Sequence, residues 1–196
     1  PNAASLTDYL QPQFKVDANT QALEVIGYVD TESAACVELR HQADANLPTM
    51  SAKDFYAEQG FSPLQCRKFN GVYEREEIFI RDYTLALYDA GINVHSHAIG
   101  DRAVRLALDS FAEAKKQSPK SKAKISMAHA QIMHPDDISR VADLNVYMAF
   151  TYSWIEPFVE YQMMVSPFID PIMSKNDLFD PAGYVYQNSY PAGSVL

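Results

Sequence analysis

No run of apolar residues in this 196-residue chain approaches the roughly 20 that a membrane-spanning helix needs. No cationic-then-apolar leader opens it either. Pro1-Asn2-Ala3-Ala4 lacks an initiating Met and reads as the start of a piece of a longer chain, so the missing leader excludes nothing. Positive charge is scarce. The formal net charge is -9, and the one basic cluster, Lys115, Lys116, Lys120, Lys122 and Lys124, falls at an expected helix end, where cations complement the helix terminus. A nucleic-acid surface needs a basic stripe to displace phosphate counterions, so neither nucleic acid nor membrane is an expected partner. Cys36 and Cys66 are the only cysteines and stand at no metal-binding spacing; the sequence leaves open whether they pair, and whether the compartment is cytoplasmic, periplasmic or extracellular. The Walker loop, the GxSxG elbow, the dinucleotide fingerprint and the HExxH motif are all missing. What is present, 47% hydrophobic and 21% charged residues, is the balance of an ordinary globular protein with one substantial core or a core plus an insertion.

Three stretches differ in character. Residues 1–73 are irregular and read as an insertion with short helices. Glu24 to Val29 suits a short strand, and Asp30 an N-cap for a helix towards Ala45. A second helix is expected after Ser51, with Asp54 in the capping-box place and Gly60 as the stop. Residues 74–152 alternate regularly. A helix from Glu74 closes at Gly91, the strand Ile92 to His97 follows, and a helix from Asp101 carries Val104, Ala107, Leu108 and Phe111 at i, i+3, i+4 and i+7. The strand Lys124 to His129, a helix opened by His134-Pro135-Asp136-Asp137, and the strand Val146 to Thr151 complete the series. Residues 153–196, rich in Pro, Tyr and Met, read as a loop excursion, then a helix around Gln187 to Ala192 leading towards a further strand.

Alternating helices and strands with short connections predict an α/β fold with parallel strands and right-handed crossovers. An open doubly wound sheet and a (β/α)₈ barrel share that pattern. His97 and His129 both end strands, the face on which barrel enzymes assemble active sites, which favours the barrel. Neighbouring parallel strands lie about 5 Å apart, so both imidazoles can reach one metal at about 2.0–2.1 Å. The bland alternative is a pair of buried histidines bonded to backbone. His95 shares a strand face with His97, while His41 and His134 read as solvent-facing or capping residues.

His97-Ala98-Ile99-Gly100-Asp101-Arg102-Ala103 resembles the HAIGDRA signature of the amidohydrolase-3 branch of metal-dependent hydrolases. Ala128-His129-Ala130-Gln131, followed by His134-Pro135-Asp136-Asp137-Ile138, is similar to the next signature of that family. The stretches Gly27-Tyr28-Val29-Asp30, Pro167-Phe168-Ile169-Asp170 and Tyr190-Pro191-Ala192 belong to the same likeness. The resemblance implies part of a (β/α)₈ TIM barrel, about strands five to seven, with His97 and His129 as metal ligands from strands five and six. It further implies one or two divalent metals, usually zinc, and hydrolysis of a non-peptide C–N bond in a small amide-type substrate by metal-activated water. His95, Asp101, Gln131, Tyr152 and Trp154 are the candidate supporting or pocket-lining residues.

The family's first-strand HxH pair and bridging Lys are expected upstream of Pro1, and its catalytic Asp just after Leu196. The chain alone is therefore expected to bind metal weakly, to lack turnover and to have no catalytic base of its own. Exposed strand edges predict a homodimer or other self-association. Two readings from other classes stand beside the enzyme: a regulatory or interaction domain on a degenerate barrel, and an open α/β domain holding a small ligand at its strand ends.

Overall fold

A computed structural model describes residues 3–154 and 158–195, apart from the Tyr152 side chain. The first part of the chain holds β1 (Pro12–Val16), β2 (Leu23–Tyr28), α1 (Ala34–Asp44) and α2 (Ala52–Gln59). The central part runs α3 (Glu77–Asp89), β3 (Val94–Ala98), α4 (Asp101–Gln117), β4 (Ile125–His129), α5 (Pro135–Asp143) and β5 (Tyr147–Ala149). Short helices α6 (Val159–Gln162), α7 (Tyr184–Asn188) and α8 (Ala192–Val195) follow. The chain forms two compact units. One comprises Thr7–Phe69 and Phe158–Gly183; the other comprises residues 3–6, 70–154 and 184–195. The excursion expected over residues 153–196 is thus divided between them.

In the first unit β1 and β2 pair as an antiparallel hairpin. β1 lies in the stretch whose sequence is irregular, because Pro12 and few apolar residues hide it. Proline is tolerated as the first residue of an edge strand, where it need not donate. The Tyr28 hydroxyl accepts from the Ile172 N–H at 2.7 Å and lies 3.2 Å from the carbonyls of Asp170 and Ile172. That ties β2 to the segment after Phe168. Val25, Met163, Ile172 and Leu178 form the small core there.

A second small core, Val29, Cys36, Phe55 and Cys66, lies under α1 and α2, and Cys36 and Cys66 are joined by a disulfide. The expected Asp30 cap is displaced. Asp30 accepts the Glu32 N–H at 2.8 Å to shape the preceding turn, and Ser33 takes the N-cap place. Around α2 the expectation holds: Ser51 accepts from the Asp54 N–H, and Gly60, at φ 77°, ends the helix in the left-handed region.

The second unit is built on a parallel sheet in the order β3-β4-β5, with α4 and α5 as the crossovers. Val104, Leu108 and Phe111 on α4 are fully buried and pack with Val94, Ile125, Met127, Met133 and Val141. This is the predicted stripe of α4 meeting the sheet. The acidic pair at the start of α5 has divided roles. Asp136 is exposed, whereas Asp137 is buried between Arg105 Nε at 2.9 Å and Arg140 Nη1 at 2.7 Å, joining α5 to α4. His134 caps α5, its Nδ1 accepting the Asp136 N–H at 3.2 Å.

The helix expected around Gln187 to Ala192 is two short helices instead. Between them the backbone pairs with the loop after β4: Met133 N–H donates to Asn188 O, Tyr190 N–H donates to Gln131 O, and Ser189 bridges Ile132. Tertiary pairing of the backbone outweighs local helix propensity at these residues. No helix of the described residues is long and apolar enough to cross a membrane.

Candidate metal centre

The ladder between β3 and β4 sets His95 opposite Ser126 and His97 opposite Ala128. Side chains two apart on a strand share a face, so His95 and His97 lie on one face, with ring centroids 5.4 Å apart. His95 Nδ1 is 2.7 Å from Ser126 Oγ, a contact that its register dictates. His129 is out of phase with His97 and in a regular ladder would face the other side. Its backbone instead turns to φ 72°, with Ala130 at φ 45°, so the ring swings onto the face of His97. Left-handed geometry at two successive non-glycine residues is strained, and such strain concentrates at functional sites.

The result is a direct contact: His97 Nδ1 lies 2.8 Å from His129 Nε2. The other ring nitrogen of His129, Nδ1, is 2.6 Å from Thr151 Oγ1, just past the end of β5. When Nδ1–H donates to Thr151, Nε2 keeps its lone pair, which is the form a metal takes. Trp154 stacks on the His129 ring with centroids 4.9 Å apart and planes 9° apart. Burial first, then the nearby imidazoles of His97 and His95, hold His129 below the usual histidine range. That shift favours the neutral imidazole, again the ligating form.

These donors fit a divalent cation as two ligands of a set. Two nitrogens on a tetrahedral ion at 2.0–2.1 Å stand about 3.3 Å apart, so the His97–His129 pair needs only a small separation to admit one. Among the described residues no group of three or more His, Cys, Asp or Glu converges. Two imidazoles and one hydroxyl are what the described residues bring together here.

The remaining candidates sit elsewhere. Asp101 is buried, and its carboxylate accepts from the N–H groups of Leu6 and Arg102, each at 2.8 Å, and from the Tyr184 hydroxyl at 2.7 Å. Gln131 is almost wholly buried in the loop after β4, where its carbonyl accepts from Tyr190 N–H. The Tyr152 side chain lies outside the described residues. Thr151 and Ser126 were not singled out from sequence, since an isolated hydroxyl residue carries no motif. The available signal for Thr151 was its place at the end of the third strand, matching the two histidines.

A sequence model of the amidohydrolase family matches residues 19–172. The exoenzymes regulatory protein AepA of Pectobacterium carotovorum subsp. carotovorum is 38% identical over 77 residues, which cover 38% of this chain and 16% of that protein. Among solved structures, an uncharacterized metal-dependent hydrolase from Pyrococcus horikoshii OT3 is 26% identical with a TM-score of 0.36, over 45% of this chain and 16% of its own. Another, from Pyrococcus furiosus, is 21% identical with a TM-score of 0.36, over 59% of this chain and 26% of its own. The chain thus spans 16% of the curated relative's length and 16% and 26% of the two solved chains.

Proposed function

This chain belongs to the amidohydrolase family, and we propose that it contributes His97 and His129 to the metal centre of a hydrolase acting on a non-peptide C–N bond. The observation that carries the reading is the 2.8 Å contact between His97 Nδ1 and His129 Nε2 at the carboxyl ends of adjacent parallel strands. In the intact protein the sheet would close into a (β/α)₈ barrel, of which β3, β4 and β5 are strands five to seven. The missing ligands and the proton-carrying carboxylate would come from its other strands. A divalent cation bound there, zinc by our proposal, would polarise a substrate carbonyl and make water a nucleophile near neutral pH.

The chain's own residues act by holding and orienting. Thr151 orients the His129 ring through Nδ1, and Trp154 covers one face of that ring. Ser126 holds His95 below His97 on the same strand face. The substrate class we propose is a small amide-type molecule.

Zinc calorimetry and amide hydrolysis on the 196-residue chain test this. Weak binding without turnover is expected, and His97→Ala or His129→Ala should abolish the binding. Tight stoichiometric zinc with turnover would overturn the incomplete-site reading, and zinc binding that survives both substitutions would remove the site itself. Association is part of the proposal, supported by the exposed side chains of Ile78, Phe79 and Tyr83 on α3. A clean monomer by light scattering at high concentration counts against it. The printed name of the AepA relative favours a second reading, an interaction module with relic histidines. Reading the gene on both sides decides: an upstream HxH with a downstream Ser-Asp supports the enzyme, and their absence supports the module.

A further inference from the structure

We propose that residues 3–6 form a strap that sets the position of the turn after His97, with Gly100, Asp101 and Tyr184 as the positioning residues that seat it. The significance for a cation rests on His97 being a donor; the seating does not.

Gly100 poses the question. Its backbone, at φ -91° and ψ 163°, is extended and open to any residue, so conformation does not require glycine there. Space does. A Cβ on Gly100 would lie 2.0 Å from Ala4 O, and one on Gly71 would lie 2.0 Å from Ala3 O. The strap therefore runs through a slot walled by two glycines, with Ala4 and Ser5 almost wholly buried.

Hydrogen bonds fix it along its length. Ser5 N–H donates to Asn70 O at 2.8 Å, Arg102 N–H donates to Ala4 O at 3.1 Å, and Leu6 N–H donates to Asp101 Oδ1 at 2.8 Å. Tyr184 holds the second oxygen of Asp101 as a hydroxyl donor, and burial, then that hydrogen bond, keeps the phenol protonated. Arg102 lies over the Tyr73 ring at 4.6 Å and donates from Nη2 to Gly71 O at 3.2 Å, so it binds the Gly71 wall to α4.

The seat is the turn that leaves the metal centre. His97 and Ala98 end β3, and Gly100 and Asp101 begin α4. Ala98 O and Ile99 O accept from Ala130 and Ile132 in the loop after His129. The turn is thus held by the strap and by the loop carrying the other histidine. A shift at Gly100 is three residues from His97, and the 2.8 Å contact with His129 tolerates little displacement. Gly100, Asp101 and Arg102 of the HAIGDRA run serve the strap, while His97 of that run is the proposed donor.

Gly100→Ala is the decisive variant, because it conflicts with Ala4 O and with nothing in its own backbone conformation. Amide exchange and histidine ring ¹⁵N shifts are read on the metal-free 196-residue chain, followed by cobalt titration. The expected result is roughly tenfold or faster exchange at the Leu6 amide, from loss of its bond to Asp101, with a smaller rise at Arg102, whose N–H keeps Asp101 Oδ1 when it loses Ala4 O. It should come with ring shifts at His97 and His129 and unchanged protection in β4. Freed strap amides with unmoved ring signals would reduce the strap to a structural element, and unchanged amides would deny the seat; either overturns the proposal. Should Gly100→Ala fail to fold, Tyr184→Phe removes a single bond and should move the same signals less, no movement counting against the proposal. Ring shifts in a chain whose wild type takes up no cobalt would keep the strap and reject the cation.

Discussion

Reducing the Cys36–Cys66 disulfide is the perturbation whose size follows most directly from this fold. The bond links α1 to the short helical turn Pro63–Cys66 across a sequence separation of 30. In the chain-entropy account, opening a loop of that length returns about 12 cal/mol/K to the unfolded ensemble, or about 3.6 kcal/mol at 25 °C. The local core has little to set against that loss. It comprises Val29, Cys36, Phe55 and Cys66, with Ala35, Leu39 and Phe61 partly buried beside them. Two bonds from Arg40 Nη1, to Thr31 O at 2.6 Å and Cys66 O at 2.8 Å, survive reduction and retain some order. Hydrogen exchange by mass spectrometry suits the test, because the single Trp lies in the other unit and gives no local fluorescence. Peptides from Ala34–Asp44 should exchange up to about 400-fold faster after reduction, at 1.4 kcal/mol per decade. Peptides from Asp101–Gln117, which hold no cysteine, report any global unfolding. If protection over α1 is equal in the oxidised and reduced chains, or if two thiols titrate without reductant, the reasoning fails.

Other perturbations have defined outcomes. Leu108→Ala, at a fully buried position of α4, should cost about 3–5 kcal/mol of unfolding free energy in urea titration, since the packed sheet and α5 leave the cavity little room to collapse. Thr151→Val removes the hydroxyl at His129 Nδ1 while preserving shape, and should weaken cobalt or zinc binding about 10–100-fold, with Thr151→Ser restoring it. Equal affinities across that series would dismiss the hydroxyl. The N–H groups of Met173 and Ser174 hold the Asp177 carboxylate below its ordinary value of 3.8. A depressed carboxylate stabilises the turn above pH 3.8 and loses that contribution as pH falls through the lower folded value. Carboxyl chemical shifts during acid titration should place the Asp177 midpoint below 3.8, and a midpoint at or above that value would refute the assignment.

What could be read from the chain alone follows from where local and tertiary forces agree. α4 was legible because Val104, Leu108 and Phe111 recur at helical spacing and the same stripe meets the sheet. Its start was legible too, with Asp101 in the first turn. α1 was misplaced at its start because Asp30 and Ser33 both suit an N-cap, and only the turn geometry shows that Asp30 bonds to Glu32. The tail was misread where non-local pairing takes over: Ser189 and Tyr190 bond to the loop after β4, and no periodic pattern encodes a partner more than 50 residues away. The cysteine pair stayed open for the same reason.

The candidate site divides along the same line. Strand-end placement brought His97 and His129 forward, but regular strand geometry would set them on opposite faces, as their register partners Ala128 and Ala98 show. Only the left-handed turn at His129 and Ala130 reverses that, and neither residue type announces it. Asp101 was legible as important yet not for its reason. Its carboxylate accepts from Leu6, Arg102 and Tyr184, so its contacts hold backbone and a tyrosine hydroxyl in place. A motif records which residues a site requires; whether one touches the chemistry or holds the backbone that does is decided by contacts 83 and 95 residues away in sequence.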